Sequence, residues 1–415
     1  MLTEDALQEA NLQRKYFIED RSNATFFQWI TSLGTNFTCY LNYLDNLDEE
    51  ARIEVKIDTI RAILYAIHQP LWYPFFYWTI LIFVLQKFNF KNKILKIILI
   101  QFILRCLGDI INRFGEIWPR YFSTLEIVDE KDNVIGYGCS YEVTSPEMHP
   151  LRWLLTRQIG NVFWYVAEIF MDWYPLIRTR EIVKTARSIW FVYLTCGLFN
   201  LSKIALIVLH FFLSPTNLYK HSTGAYNKYD VDMFYFKYWI IQLLIIYSSV
   251  IYDFSVYCVL KKYSFQINIS QIGFVQKFKV FSIYRIRVSL LVSILFLPLV
   301  SIAIICKFYY YYNNHYHKLE FSFDELRISI ANLQYLIVFI DQILLAYTES
   351  RSKQRNQHIS HAPSSSNSSD VKLAHNVDSQ HLYKNLNYSN NTLLTSYSNS
   401  TIQRKTNSSI YPHNM

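Results

Sequence analysis

Nineteen residues, VSLLVSILFLPLVSIAIIC from Val288 to Cys306, run without a charge between Arg287 and Lys307. As a helix rising about 1.5 Å per residue, the stretch covers roughly 28 Å, close to the thickness of one bilayer core. A second block, Ala62 to Gln86, reads AILYAIHQPLWYPFFYWTILIFVLQ and is also free of Lys, Arg, Asp and Glu. With 52% apolar residues, 33 Tyr, 30 Phe and only 17% charged residues, the chain holds further apolar blocks broken by single charges. Seven spans are expected, near 62–86, 94–111, 153–177, 188–212, 238–260, 288–306 and 328–348; five or six remain if the second and third lie along the interface. The expected fold class is all-α, a polytopic helical membrane protein. The first sixty residues are polar and acidic, so no signal peptide is expected there.

Loop charge provides an independent check, because basic residues near a span favour the cytosolic side. Lys87, Lys91, Lys93 and Lys96 follow the first block, and Arg178, Arg180, Lys184 and Arg187 the third. Lys261, Lys262, Lys277, Lys279, Arg285 and Arg287 follow the fifth, and Arg351, Lys353 and Arg355 the seventh. The alternate segments are acidic or mixed: residues 1–61 hold eleven Asp and Glu against six Lys and Arg, and 121–150 hold six acids against one Lys. This alternation predicts a lumenal or outside N-terminus and a cytosolic C-terminus. It also accounts for the formal charge of +8 without a nucleic acid partner.

Three regions follow. Residues 1–61 form a lumenal segment in which Leu44, Leu47, Ala51, Ile57 and Leu64 recur at helical spacing, as an amphipathic helix would place them. Residues 62–350 form the membrane domain. Residues 351–415, rich in Ser, Asn and Thr, contain too few large aliphatics to offset the entropy of folding, so a disordered cytosolic tail is expected. Acceptor triplets for N-glycosylation lie at Asn23 and Asn36 on the lumenal side; those at Asn268, Asn367, Asn387, Asn390, Asn399 and Asn407 fall on the cytosolic side. Cys39 and Cys139 share the lumenal side, where an oxidising compartment permits a disulfide.

Seven of the charged residues inside the expected spans are candidates for an intramembrane polar core: Arg105, Asp109, Glu168, Asp172, Lys203, Asp253 and Asp341. An ionised side chain at the centre of lipid costs at least about 2.5 kcal/mol, so these groups should face one another in the bundle. Glu168 and Asp172 share a helical face and repel, making Arg105 or Lys203 their natural counterions. Such a core is either a set of structural ion pairs or a polar path. His315 and His317 in YYYYNNHYHK lack a third ligand at suitable spacing, so no metal or cofactor is expected. No serine elbow, HExxH or paired histidine box points to an enzyme.

Seven spans with N-terminus outside and a long polar tail inside resemble the layout of a heptahelical receptor. The resemblance covers topology alone: DWYPLIRTR stands where an acidic-Arg-aromatic triplet would follow the third span. No internal repeat of the kind found in transporters is present. The expectation is a noncatalytic membrane protein of the endoplasmic reticulum or another endomembrane, with the plasma membrane as the alternative location, recruiting partners through its basic loops and tail. A transporter or channel with an acidic core, and a receptor, are the alternatives.

Overall fold

The computed structural model describes residues 4–129, 134–183, 187–266 and 274–314, with isolated positions and one short run between 328 and 347. All belong to one compact unit, Met1–Glu349. The expected tail, His315 and His317, Asn268 and the tail triplets lie outside the described residues.

Three short helices open the chain: α1 (Glu4–Gln13), α2 (Phe26–Thr31) and α3 (Phe37–Asp45). Thr25 and Gln28 form a capping box at the start of α2, and Asn36 caps α3. Helix α4 (Glu49–His68) begins where Asp48 accepts the Ala51 N–H at 2.7 Å, with Glu49 and Glu50 favourably placed in its first turn. The apolar stripe expected from Leu44 to Leu64 is therefore split between two helices. Within α4 the small or short residues Ala51, Val55, Thr59, Ala62 and Ala66 turn inward, while Ile53, Ile57, Ile60, Leu64 and Ile67 are exposed. Small side chains let the helix approach its neighbour closely and leave the large aliphatics outside.

The block expected as one span over 62–86 is broken. Helix α4 stops at His68, a 3-10 turn covers Gln69–Trp72, and α5 (Phe76–Leu85) follows. Pro70 and Pro74 each remove a backbone donor, and Pro74 pushes Tyr73 into extended backbone. The ten residues of α5 cover roughly 15 Å, half a bilayer core.

From there the helices form a sequential antiparallel bundle. Helix α6 (Lys93–Phe114) is followed, after a hairpin of β1 (Arg120–Val128) and β2 (Val134–Glu142), by α7 (Pro150–Trp153), a π-helical segment (Leu154–Ile159) and α8 (Gly160–Ile182). Then come α9 (Ile189–Phe212), α10 (Lys228–Gln266) and α11 (Phe274–Asn314). Helices α6 and α8 touch at Gly108, where an added Cβ would lie 2.4 Å from Trp164 Cδ1. Helices α9 and α10 are joined by hydroxyl pairs, Thr195 with Ser255 at 2.8 Å and Ser202 with Ser248 at 3.3 Å. Phe236 packs on Phe308 and Tyr247 bonds Ser301, so α11 runs antiparallel to α10. Ile189–Phe212, Lys228–Lys262 and Leu290–Asn313 are long and apolar enough to cross a membrane. Much of their outward surface is apolar: Phe212 is 77% exposed and Leu295 67%.

The hairpin departs from the all-α expectation. Its strands pair antiparallel with Thr124 opposite Cys139. Together with residues 14–45, 143–149 and 213–227 it builds a cap at one end of the bundle. Trp29, fully buried, stacks on Tyr219 at 6.3 Å; Tyr121 lies 4.8 Å from Tyr219 and 5.1 Å from His149. Ile18 N–H donates to the Gly34 carbonyl and Thr35 N–H to the Phe122 carbonyl. The segments before α4, between α6 and α8, and between α9 and α10 thus meet at the same end. Gln86 and Asn92, on either side of the basic turn after α5, lie at the other.

Candidate functional site

Glu168 and Asp172 stand one turn apart on α8 and face α9, where Lys203 reaches both. Lys203 Nζ lies 2.7 Å from Asp172 Oδ2 and 3.1 Å from Glu168 Oε2. The three residues are 3–8% exposed. Phe199, one turn before Lys203, puts its ring 4.3 Å from the ammonium, and Tyr252 on α10 donates its hydroxyl to the Asp172 carbonyl at 2.8 Å. Asp253, the neighbour of Tyr252, is buried as well. One ammonium thus answers two carboxylates at the meeting point of three helices.

Arg105 does not join this group as its direct partner. Its Nε lies 3.4 Å from Asp109 Oδ1 one turn on, and the same oxygen accepts Trp164 Nε1–H at 2.8 Å. The guanidinium rests between the rings of Tyr73 and Trp164, 5.6 and 5.1 Å from their centroids. Tyr73 sits in the break between α4 and α5, and its hydroxyl accepts Gln101 Nε2–H at 2.8 Å. Asp341 is held separately: Tyr174 donates to its Oδ2 at 3.0 Å, and Gln342 bridges Tyr174 to Gln86. The seven charged residues therefore form three groups rather than one cluster.

Near the cap the helices share a network of neutral polar side chains. Trp153 Nε1–H and Gln158 Nε2–H both donate to the Leu213 carbonyl, and Gln158 also reaches the His210 carbonyl. These side chains satisfy carbonyls that the end of α9 leaves without intrahelical donors, and the π-helical segment sets Gln158 at that height. His210 Nδ1 bonds the Leu206 carbonyl and Nε2 meets Asn161 Nδ2 at 2.9 Å. Gln242 Nε2 bonds the hydroxyls of Tyr165 and Tyr238. Charge-based reasoning over the sequence passes over Gln158, Asn161, His210 and Gln242; the available signal is an amide or imidazole inside an apolar helix.

In the cap, Cys39 and Cys139 form a disulfide, joining α3 to β2. Asn36 beside it is engaged: its Oδ1 accepts the Cys39 N–H at 3.3 Å and its Nδ2 donates to Thr124 Oγ1 at 3.2 Å. Asn23 is exposed and donates to Asp20. His149, buried against Tyr121, accepts the Leu151 N–H on Nδ1. Burial, and after it the neighbouring Arg152, push its pKa down to about 3, so it is neutral. Among the described residues, no group of three or more His, Cys, Asp or Glu is arranged to hold a metal ion. No known protein family, curated protein or solved structure matches the chain.

Proposed function

We propose that the chain is a noncatalytic multi-pass protein of the endomembrane system, with seven crossings, its cap lumenal and its basic turns cytosolic. The observation that carries this reading is the closed triad of Lys203, Glu168 and Asp172, which ties α8 to α9 by direct contacts. A protein that presents a folded cap on one side and basic segments on the other needs rigid crossings, and interlocked charges supply them. Partner proteins would meet the cap, the basic turns or the tail. The orientation is supported by the meeting of three alternate segments at the cap and by the direction of the last described segment. There Phe339 stacks on Phe75, while Asp341 and Gln342 reach Tyr174. Glycan acceptor tags near residues 135 and 225 should be modified and tags near 90, 182 and 275 should not; modification near 182 refutes the orientation.

One observation favours transport as the second reading. The break at Pro70–Pro74 brings non-helical backbone beside Arg105, and interrupted helices line the binding sites of many transporters. Abundance separates the two. In the interlocked core Glu168→Gln lowers the amount of protein in the membrane, whereas in a water-lined path abundance holds and solute flux in reconstituted vesicles falls.

A further inference from the structure

The turn from α5 to α6 holds two consecutive non-glycine residues in the left-handed region, Lys87 at φ 50° and Phe88 at φ 52°. Residues with a Cβ adopt that backbone at a cost, so the surroundings must hold it in place. Here Phe88 N–H donates to the Phe83 carbonyl at 2.9 Å and Lys87 N–H to the Val84 carbonyl at 3.0 Å. The rings of Phe83, Phe88 and Phe90 stand 5.9–6.4 Å apart.

The strained turn produces a particular surface. Lys87, Lys91, Lys93 and Lys96 are all exposed, beside Phe88 at 57% and Phe90 at 47% exposure. Among the described residues no carboxylate pairs with any of the four lysines. Lys93 and Lys96 stand in the first turn of α6, where the helix dipole disfavours cations, so helix stability does not account for them. Leu81, Val84 and Leu85 on α5 are also outward facing, so an apolar surface runs directly into the cationic one.

We propose that this turn is a binding surface for anionic phospholipid, its lysines on the headgroups and Phe88 and Phe90 at the boundary with the acyl chains. The complementarity lies in the sequence of surfaces: aliphatic, then aromatic, then cationic, the order a leaflet presents from inside out. A zwitterionic headgroup brings its own cation to its phosphate, so lipids of net negative charge are preferred. Each lysine near such a surface favours binding roughly fivefold. The proposal rests on the membrane placement given above.

The full chain reconstituted into vesicles of equimolar phosphatidylserine and phosphatidylcholine, then re-extracted in neutral detergent, should retain phosphatidylserine in several-fold excess by mass spectrometry. Replacing all four lysines with Gln should return the retained ratio to that of the vesicle, while replacing them with Arg should preserve the excess. Phe88→Ser with Phe90→Ser keeps every lysine and should lower the excess. Retention of the excess by the Gln variant, or its loss in the Arg variant, overturns the proposal; the Phe88, Phe90 variant decides the case if the Gln variant does not fold. Both leaflets hold both lipids, so this result is independent of which side the turn faces, and an orientation error registers only in the glycan tags.

Discussion

Thr35 donates its hydroxyl to the carbonyl of Gly224 at 2.7 Å, across 189 residues of sequence. The bond fastens the segment before α4 to the loop between α9 and α10. Arg21 reinforces it through Ser222 and Thr35 carbonyls, and His221 bonds the Arg21 carbonyl. Gly224 has φ +69°, and an added Cβ would lie 2.7 Å from Arg21 Nε. Gly224→Ala should therefore destabilise the cap by about 1–3 kcal/mol, from backbone strain and the displaced arginine. Limited proteolysis of the purified protein should show faster cleavage within residues 14–36, with the helical core intact.

The triad predicts an order of severity. Lys203→Met leaves two buried carboxylates without their ammonium and should cost about 3–5 kcal/mol, read as loss of membrane abundance. Asp172→Asn should be more harmful than Glu168→Gln, because Asp172 makes the shorter contact. Combining Lys203→Met with both carboxylate replacements should restore part of the abundance, since no stranded charge remains. Equal levels for all variants would contradict a load on this triad.

His149 makes the cap sensitive to acid. Its folded pKa of about 3 lies below the ordinary 6.5, so the folded form binds fewer protons than the unfolded one. Its contribution is fully present above pH 6.5 and is lost as pH falls toward 3, at up to about 1.4 kcal/mol per pH unit. His149→Asn keeps an acceptor for the Leu151 N–H and removes the titration. Its melting temperature should fall less between pH 7 and pH 4 than that of the parent, and parallel curves would argue against the assignment.

The disulfide closes a loop of sequence separation 100, for which the chain-entropy model gives about 4.7 kcal/mol. Residual helical structure between the two cysteines shortens the free loop of the unfolded chain, so the loss in Cys39→Ser should be nearer 2 kcal/mol. Cys139→Ser and the double variant should lose the same amount, because all three remove one bond. A larger loss in the double variant would point to a separate packing role for one sulfur.

How much of this was legible can be judged residue by residue. That Glu168 and Asp172 need a cation follows from the cost of charge in lipid, and the two candidate cations, Arg105 and Lys203, were visible. Which one pairs depends on helix contacts: Lys203 faces α8, while Arg105 is taken up by Asp109 and two aromatic rings. Pro70 and Pro74 were equally visible, yet hydropathy averages over a window and merges the two half-helices they separate. The hairpin had a local signal, aromatic and β-branched residues on both sides of the acidic stretch DEKD, which a reading for charge passed over. The π-helical segment has no such signature; it follows from the need to bring Gln158 and Trp153 to the end of α9.

The cap also sets an order of events during synthesis. Cys139 follows Cys39 by 100 residues, so the disulfide can close once the hairpin has emerged. Trp29 and Thr35 must wait for Tyr219 and Gly224, which at about 5–20 residues per second arrive roughly 10–40 s later. Until then the indole of Trp29 lacks the ring it stacks on, and the newborn N-terminal segment stays open until α9 has been made.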